Sequence, residues 1–404
     1  MKQNALEGLR VLDFTQIWSG PYCTMLMALY GAEVIKIESE KRPDRTRLFS
    51  VMLARYYEGR DTSPLYNTLN LNKLGITLNL TQRRGVDLVR ELVKVSDVVV
   101  ENFRPGVMAK LGIDYESLRE INPKLIYLSS SSRGGTGPEW DYAGLAFMFS
   151  ALGGLSYITG YADGLPSKTS GRTDLIVGMT ALFAILSALI HRTETGRGQY
   201  IDLSSSEAIT ALMGDVFMEY AMNGRNQTRQ GNRDAAMAPH NCYRCAGEDQ
   251  WISIACASDG EWRALCEAMN RPDLAADERF SGVYARKENE VELDRLIGEW
   301  TATFTPTQAV EMLRKAGVAA APSRSSRDLL ADDHLRQRGA FLEIDHPDMG
   351  RQTLVGAPWK LTDDQNGLIR HAPLFGQHND YVFEQLLGLS PKQVEELRRE
   401  EVIY

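Results

Sequence analysis

Asp174 stands immediately before a long apolar run, Leu175 to Ile190. A carboxylate there is expected to cap the helix that follows, accepting backbone N–H bonds that find no partner inside the helix. The positive end of the helix favours the ionised form, and an ionised carboxylate can attack an activated carbonyl. Capping alone explains such a residue, and does so more often than catalysis, so both readings stand. Glu101-Asn-Phe-Arg-Pro-Gly106 follows a strand-like run, where α/β sheets bind ligands. Asn102 and Arg104 suit phosphate or ribose there, or simply a turn and a solvated cation. Gly134-Gly-Thr-Gly137 is glycine-rich but lacks the lysine of a phosphate loop, and His191 and His240 are isolated. Cys242-Tyr-Arg-Cys245 is a lone pair with no second pair to complete a zinc site, and is read as structural. No G-x-S-x-G, H-E-x-x-H or G-x-G-x-x-G occurs.

These residues need elements to hold them. Apolar runs at Val11–Phe14, Val34–Ile37, Ile76–Leu80, Val98–Val100 and Leu125–Leu128 alternate with helical patterns. One is the amphipathic stretch from about Thr81 to Val95, with Val86, Val89, Leu92 and Val93 on one face. That alternation predicts an α/β fold with a doubly wound parallel sheet. From Asn223 the texture turns polar, then gives a strand at Trp251–Ala255 and two helical patterns, so a smaller α+β domain is expected inside the larger one. The expected boundaries are 1–224, 225–325 and 326–404. The chain has 404 residues, 43% hydrophobic and 24% charged, with a net charge of -8. An acidic chain repels polyanions, which argues against nucleic acid as a partner. No secretory signal is visible, the apolar run is shorter than the roughly 18–20 residues of a bilayer span, and five cysteines fit a reducing compartment. A cytoplasmic protein without membrane attachment is expected.

Taken together and in order, the fragments resemble the class III CoA-transferases, the family of formyl-CoA transferase, carnitine CoA-transferase and α-methylacyl-CoA racemase. The resemblance is carried by Leu6–Phe14, Gly20-Pro21, Gly31–Glu38, Asn72-Lys73, Glu101–Gly106, Asp174–Met179 and Thr195-Gly-Arg-Gly-Gln199. Further matches are Gly231-Asn-Arg233, Ala238-Pro239, Gly356-Ala-Pro358 and Ala372–Gly376. It implies Asp174 as the covalent nucleophile, with acyl-aspartyl anhydride and aspartyl-CoA thioester intermediates. By position it implies coenzyme A contacts at Gln16, Ile17, Leu78, Asn79, Leu80, Asn102, Phe103, Arg104 and Lys110, with Phe103 on adenine and Lys110 on phosphate. An arginine common in the family after the second strand is Ser39 here, which leaves Lys41, Arg42, Arg45 or Arg47 to replace it. The resemblance implies no metal and no permanently bound cofactor, coenzyme A thioesters being substrates. It also implies an interlocked ring-like dimer, of like chains or with a related subunit.

Two departures narrow the chemistry. The racemase branch has a His-Asp pair where this chain has Leu145 and Ala146. Neither can carry a proton, which disfavours racemisation or isomerisation. A catalytically silent CoA-binding subunit is disfavoured by the presence of Asp174. With Trp18, Phe147, Met148, Phe149 and Tyr157 nearby, an apolar acyl pocket and core packing are equally good readings of those rings. The chain looks closest to transferases for larger, partly apolar or aromatic acids, of the succinyl-CoA:benzylsuccinate kind.

Overall fold

A computed structural model describes residues 4–48, 59–167, 169, 171–362 and 369–404. Its centre is a six-stranded parallel sheet built from β1 (Arg10–Asp13), β2 (Glu33–Glu38), β3 (Leu74–Thr77), β4 (Val98–Glu101), β5 (Ile126–Ser131) and β6 (Tyr200–Ser204). The spatial order is β3-β2-β1-β4-β5-β6. The chain reverses its direction of winding between β1 and β4, and in doubly wound sheets the ligand crevice lies beyond the carboxyl ends of the strands at such a switch point. The strands are apolar runs because both faces are covered. One face meets α1 (Ser19–Leu29) and the long helix described below, through Val11, Leu26, Ile126, Leu128, Ala181 and Ile185. The other meets α2 (Arg83–Lys94) and the C-terminal segment, through Leu12, Ile76, Val89, Val99, Phe383 and Ile403.

After β5 come α3 (Ala146–Leu152) and α4 (Arg172–Thr195). At 24 residues, α4 is longer than the apolar run suggested, and it is long and apolar enough by composition to cross a bilayer. Half of its apolar window is nevertheless buried inside the fold. At Gly178 an added Cβ would fall 2.6 Å from the Ser19 carbonyl oxygen, so glycine lets α4 approach the start of α1 this closely.

The chain divides into two compact units. The first comprises Met1–Ser156, Lys168–Arg225 and Gln337–Tyr404; the second comprises Tyr157–Ser167 and Asn226–Arg336. The second unit thus takes a short segment, 157–167, that a linear reading leaves with the first. It holds the antiparallel sheet β7 (His240–Arg244), β8 (Trp251–Ala255) and β9 (Ala319–Pro322), covered by helices through Trp262, Leu265, Leu293, Ile297 and Leu313. Cys245, Cys256 and Cys266 are buried in that core as free thiols. A hairpin of β10 (Phe341–His346) and β11 (Gly350–Val355) returns to the first unit.

Candidate active site

The loop after β1 reaches the crevice as Thr15-Gln16-Ile17. Its backbone is held by side chains. Asp13 accepts from the Thr15 N–H (2.9 Å) and Lys36 donates to the Thr15 carbonyl (2.7 Å). Asn102, in the loop after β4, holds Gln16 twice: its Oδ1 accepts from Gln16 N–H and its Nδ2 donates to Gln16 C=O, both at 2.8 Å. Asp44 accepts from the Ile17 N–H (3.2 Å). Ile17 sits at φ 72°, a region that β-branched residues avoid. The two loops flanking the switch point are therefore one assembly.

Next in the chain, Trp18 lays its ring against Gly171, which precedes α4 and has φ 89°. A Cβ at 171 would lie 2.0 Å from Trp18 Cζ3, so only glycine admits this contact. Gly171 caps α4, and Asp174 is the third residue of its first turn rather than the cap expected from sequence. The Asp174 side chain makes no hydrogen bond to another described residue, and the residue is 8% exposed. Burial pushes its carboxyl from the ordinary 3.8 up to about 7. At ~1.4 kcal/mol per tenfold change in proton affinity this is on the order of 4 kcal/mol. A helix terminus supplies about 0.3–1 kcal/mol, so burial overrides the dipole. The helix start therefore does not by itself keep Asp174 ionised. It presents a buried carboxyl whose pKa is raised to about 7.

Position 146 lies where the proton carriers would be: the Thr173 hydroxyl donates to the Ala146 carbonyl (3.4 Å). Phe149 is core, packed with Val177 and Ile209, while Phe147 and Met148 are exposed. Tyr157 belongs to the second unit, where its carbonyl accepts from Arg229 (3.0 Å) and its ring lies under the same guanidinium. Ser130, Ser131 and Ser132, at the carboxyl end of β5, have buried hydroxyls with no hydrogen-bond partner among the described residues. Ser132 packs against Gly144, two residues before Ala146.

Arg104 and Lys110 are exposed, with no ion-pair partner among the described residues, and Phe103 is half-buried on the core. Leu78 is wholly in the core. The Asn79 carboxamide is engaged with the Glu401 carbonyl (3.2 Å) and with Thr81, and Leu80 packs on the core, so this stretch offers a ligand chiefly backbone. Arg47 is not a free cation. It is buried and bonded to Glu38 (2.7 Å), Asp61, Tyr66 and the Pro373 carbonyl, whereas Lys41, Arg42 and Arg45 are exposed. The glycine loop at 134–137 is also occupied: Gly135 N–H donates to both Asp202 oxygens (2.8 and 2.9 Å).

Sequence reasoning missed the ion pairs under the crevice. Lys73 pairs with Asp13 and Lys36 with Asp44, each at 2.9 Å and each wholly buried. Burial drives the Asp13 carboxyl up, but Lys73 and Lys36 outweigh it and hold the group below the usual range. The signal was present: Lys36 interrupts Val34-Ile-Lys-Ile37, and a charge inside a strand buried on both faces requires a partner.

The sequence model of a family described as CoA-transferase family III matches residues 6–379. The chain is 35% identical over 403 residues to a protein of Chloroflexus aurantiacus named succinyl-CoA--D-citramalate CoA-transferase, covering 98% of each. It is 36% identical over 402 residues to a Haloarcula hispanica protein named succinyl-CoA:mesaconate CoA-transferase, covering 97% of this chain and 99% of the relative. A crystal structure of a CAIB/BAIF family protein from Brucella suis superposes with a TM-score of 0.85 at 32% identity, covering 95% of this chain and 100% of the other.

Proposed function

We propose, from the premise that this chain belongs to CoA-transferase family III and transfers coenzyme A from an acyl-CoA to an acid, that Asp174 is its covalent nucleophile. The observation that carries this is a buried carboxyl with no hydrogen-bond partner among the described residues, in the first turn of α4 beside the switch-point loop. In its ionised form an Asp174 oxygen attacks the thioester carbonyl. The C–S bond breaks, leaving an acyl-aspartyl anhydride and CoA thiolate. The thiolate attacks the aspartyl carbonyl and expels the donor acid, which leaves an aspartyl-CoA thioester. The acceptor carboxylate reverses the sequence: it displaces thiolate to form a second anhydride, and the thiolate then takes the acceptor acyl group and frees Asp174. Burial helps because anhydrides hydrolyse in water.

For coenzyme A we propose the crevice at β1 and β4, with Gln16 and Ile17 at the loop, Phe103 on the adenine ring, and Arg104 and Lys110 on phosphates. For the acids we propose dicarboxylates, with succinyl-CoA as donor. The names of the relatives support this, and the hydroxyls of Ser130–Ser132, without a hydrogen-bond partner among the described residues, offer donors for a second carboxylate. The exposed Phe147 and Met148 beside Ala146 favour, as a second reading, an acceptor with an apolar or aromatic substituent.

The working form we propose is a cytoplasmic dimer with a like or related chain. Support comes from Met179, Phe183 and Ile190, which line one exposed apolar face of α4, and from five free cysteines.

The test is adduct mapping. The protein is incubated with succinyl-CoA, quenched with hydroxylamine and digested for mass spectrometry. A hydroxamate at Asp174, absent from Asp174→Ala, is expected. No adduct, with α-proton exchange into deuterated solvent instead, overturns the reading in favour of an isomerase.

A further inference from the structure

Lys36 and Asp44 form an ion pair with both side chains at 0% exposure. Buried pairs of this kind are commonly no more stabilising than well-packed apolar residues of the same volume. Lys36 lies between Val34-Ile35 and Ile37 in β2, and stability does not explain a charge there. What the pair touches does. Lys36 Nζ donates to the Thr15 carbonyl at 2.7 Å, and Asp44 Oδ1 accepts from the Ile17 N–H at 3.2 Å. The pair therefore grips the two residues flanking Gln16. Asp44 is itself oriented by the Thr46 N–H (2.9 Å) and hydroxyl (2.8 Å). Together with Asp13 and Asn102, this gives a side-chain partner to the N–H and C=O of Thr15 and Gln16 and to the N–H of Ile17. The left-handed φ of Ile17 persists because its surroundings over-determine it, as is usual for strained residues at working sites. The Gln16 carboxamide, in contrast, makes no hydrogen bond within the described chain.

We infer that the Lys36–Asp44 pair is a positioning device for acyl-CoA binding: it fixes the Thr15–Ile17 backbone so that the Gln16 carboxamide meets the amide-bearing arm of coenzyme A already oriented. This rests on the proposed coenzyme site at the β1–β4 crevice. A preorganised donor and acceptor is not slowed by ordering a loop when ligand arrives, which is where affinity is otherwise lost.

The test removes both charges at once, since removing one would strand the other in the core. Lys36→Met/Asp44→Leu is expected to fold with a lowered Tm, because the Thr15 carbonyl and the Ile17 and Thr46 N–H groups lose their partners. Calorimetry with free coenzyme A is expected to give a Kd about tenfold weaker, the scale of one lost hydrogen bond. Amide exchange in a peptide covering residues 14–18 is expected to accelerate. In a Gln16→Ala background the same double substitution should leave Kd nearly unchanged. A purely structural pair would lower Tm but leave Kd and loop exchange in the folded fraction untouched, and that result overturns the inference. An equal Kd penalty with and without Gln16 also overturns it. If the double variant does not fold, Lys36→Met/Asp44→Asn, which removes both charges but retains an acceptor for Ile17, is measured in the same way, with a smaller Kd change required. Binding is read rather than turnover, so failure of the Asp174 chemistry would show as intact affinity without transfer. A wild-type chain that binds no coenzyme A removes the site and the inference together.

Discussion

The Asn102 carboxamide closes on Gln16 from both sides, accepting from its N–H and donating to its carbonyl at 2.8 Å each, and so fastens the loop after β4 to the loop after β1. The turn reading of Asn102 and the ligand reading both miss this. Its polar atoms are spent on the chain, and its influence on a ligand passes through Gln16. Asn102→Ala deletes two hydrogen bonds at the crevice. A loss of about 1–3 kcal/mol is expected in urea unfolding, with a raised KM for the acyl-CoA donor. Asn102→Asp keeps the acceptor and loses the donor, so it should fall between the two. An Ala variant with wild-type stability and KM would show that the clasp holds nothing of consequence.

Gly171 is the second such junction. An alanine there would meet the Trp18 ring at 2.0 Å and occupy φ 89°. The ring must shift or the start of α4 must move, and Asp174 moves with it. Gly171→Ala is expected to cost more than about 1 kcal/mol from backbone strain and overlap. Turnover should fall on the order of 100-fold, the scale of a misplacement near 1 Å. Adding Trp18→Leu should relieve the overlap and recover part of the stability, but not the cost of φ. Full recovery of both by the double variant would mean that φ carries no cost here.

Much of this was legible in the sequence, for physical reasons. Strands buried on both faces leave apolar runs, so Val98–Val100 and Val34–Ile37, broken only by Lys36, announced a parallel sheet. Ser204-Ser-Ser-Glu207 carries the capping pattern, and Ser204 does accept from the Glu207 N–H. What was not legible depends on long-range contacts. Nothing near Arg47 in sequence says that Glu38 and Tyr66 enclose it, and nothing near Phe149 says that it packs on Val177 rather than lining a pocket. The cap of α4 was misplaced by three residues because Gly171 caps through its conformation, without a side chain to signal it. That shift puts Asp174 inside the first turn, where it is buried, rather than at the cap.

The raised carboxyl predicts a pH profile for the reaction. Attack requires ionised Asp174, so kcat/KM for the donor should rise with pH and level off above about 7. Glu101, beside the crevice, is also pushed up to about 7 by burial, so the profile alone does not name the group. Glu101→Gln is the control. It should leave the rise in place if Asp174 is responsible, and flatten it if Glu101 is. A profile already flat at pH 5 would show that Asp174 stays ionised despite its burial.

The same carboxyl should make the active site a weak point in the fold. Its folded value near 7 lies above the ordinary 3.8 that an unfolded chain would show. Between those values the folded state binds more protons than the unfolded one, so this group's contribution favours folding most below 3.8. It is lost progressively as pH rises through 7. Above that, holding the bare carboxylate in the fold costs on the order of 4 kcal/mol, an upper figure because water reaching the site would lower it. Asp174→Asn has nearly the same shape and no charge. It should be more stable than wild type at pH 8 by a few kcal/mol, with the gap narrowing steadily toward pH 4. Its transferase activity should fall by at least ~10,000-fold, as when a covalent nucleophile is removed. Chemical unfolding of both proteins across pH 4–8 measures the gap. A constant difference would show that packing, rather than ionisation, sets it. An Asn variant less stable at pH 8 would mean that the carboxylate is held by a favourable partner when ionised, and that Asp174 is anchored rather than left free to attack.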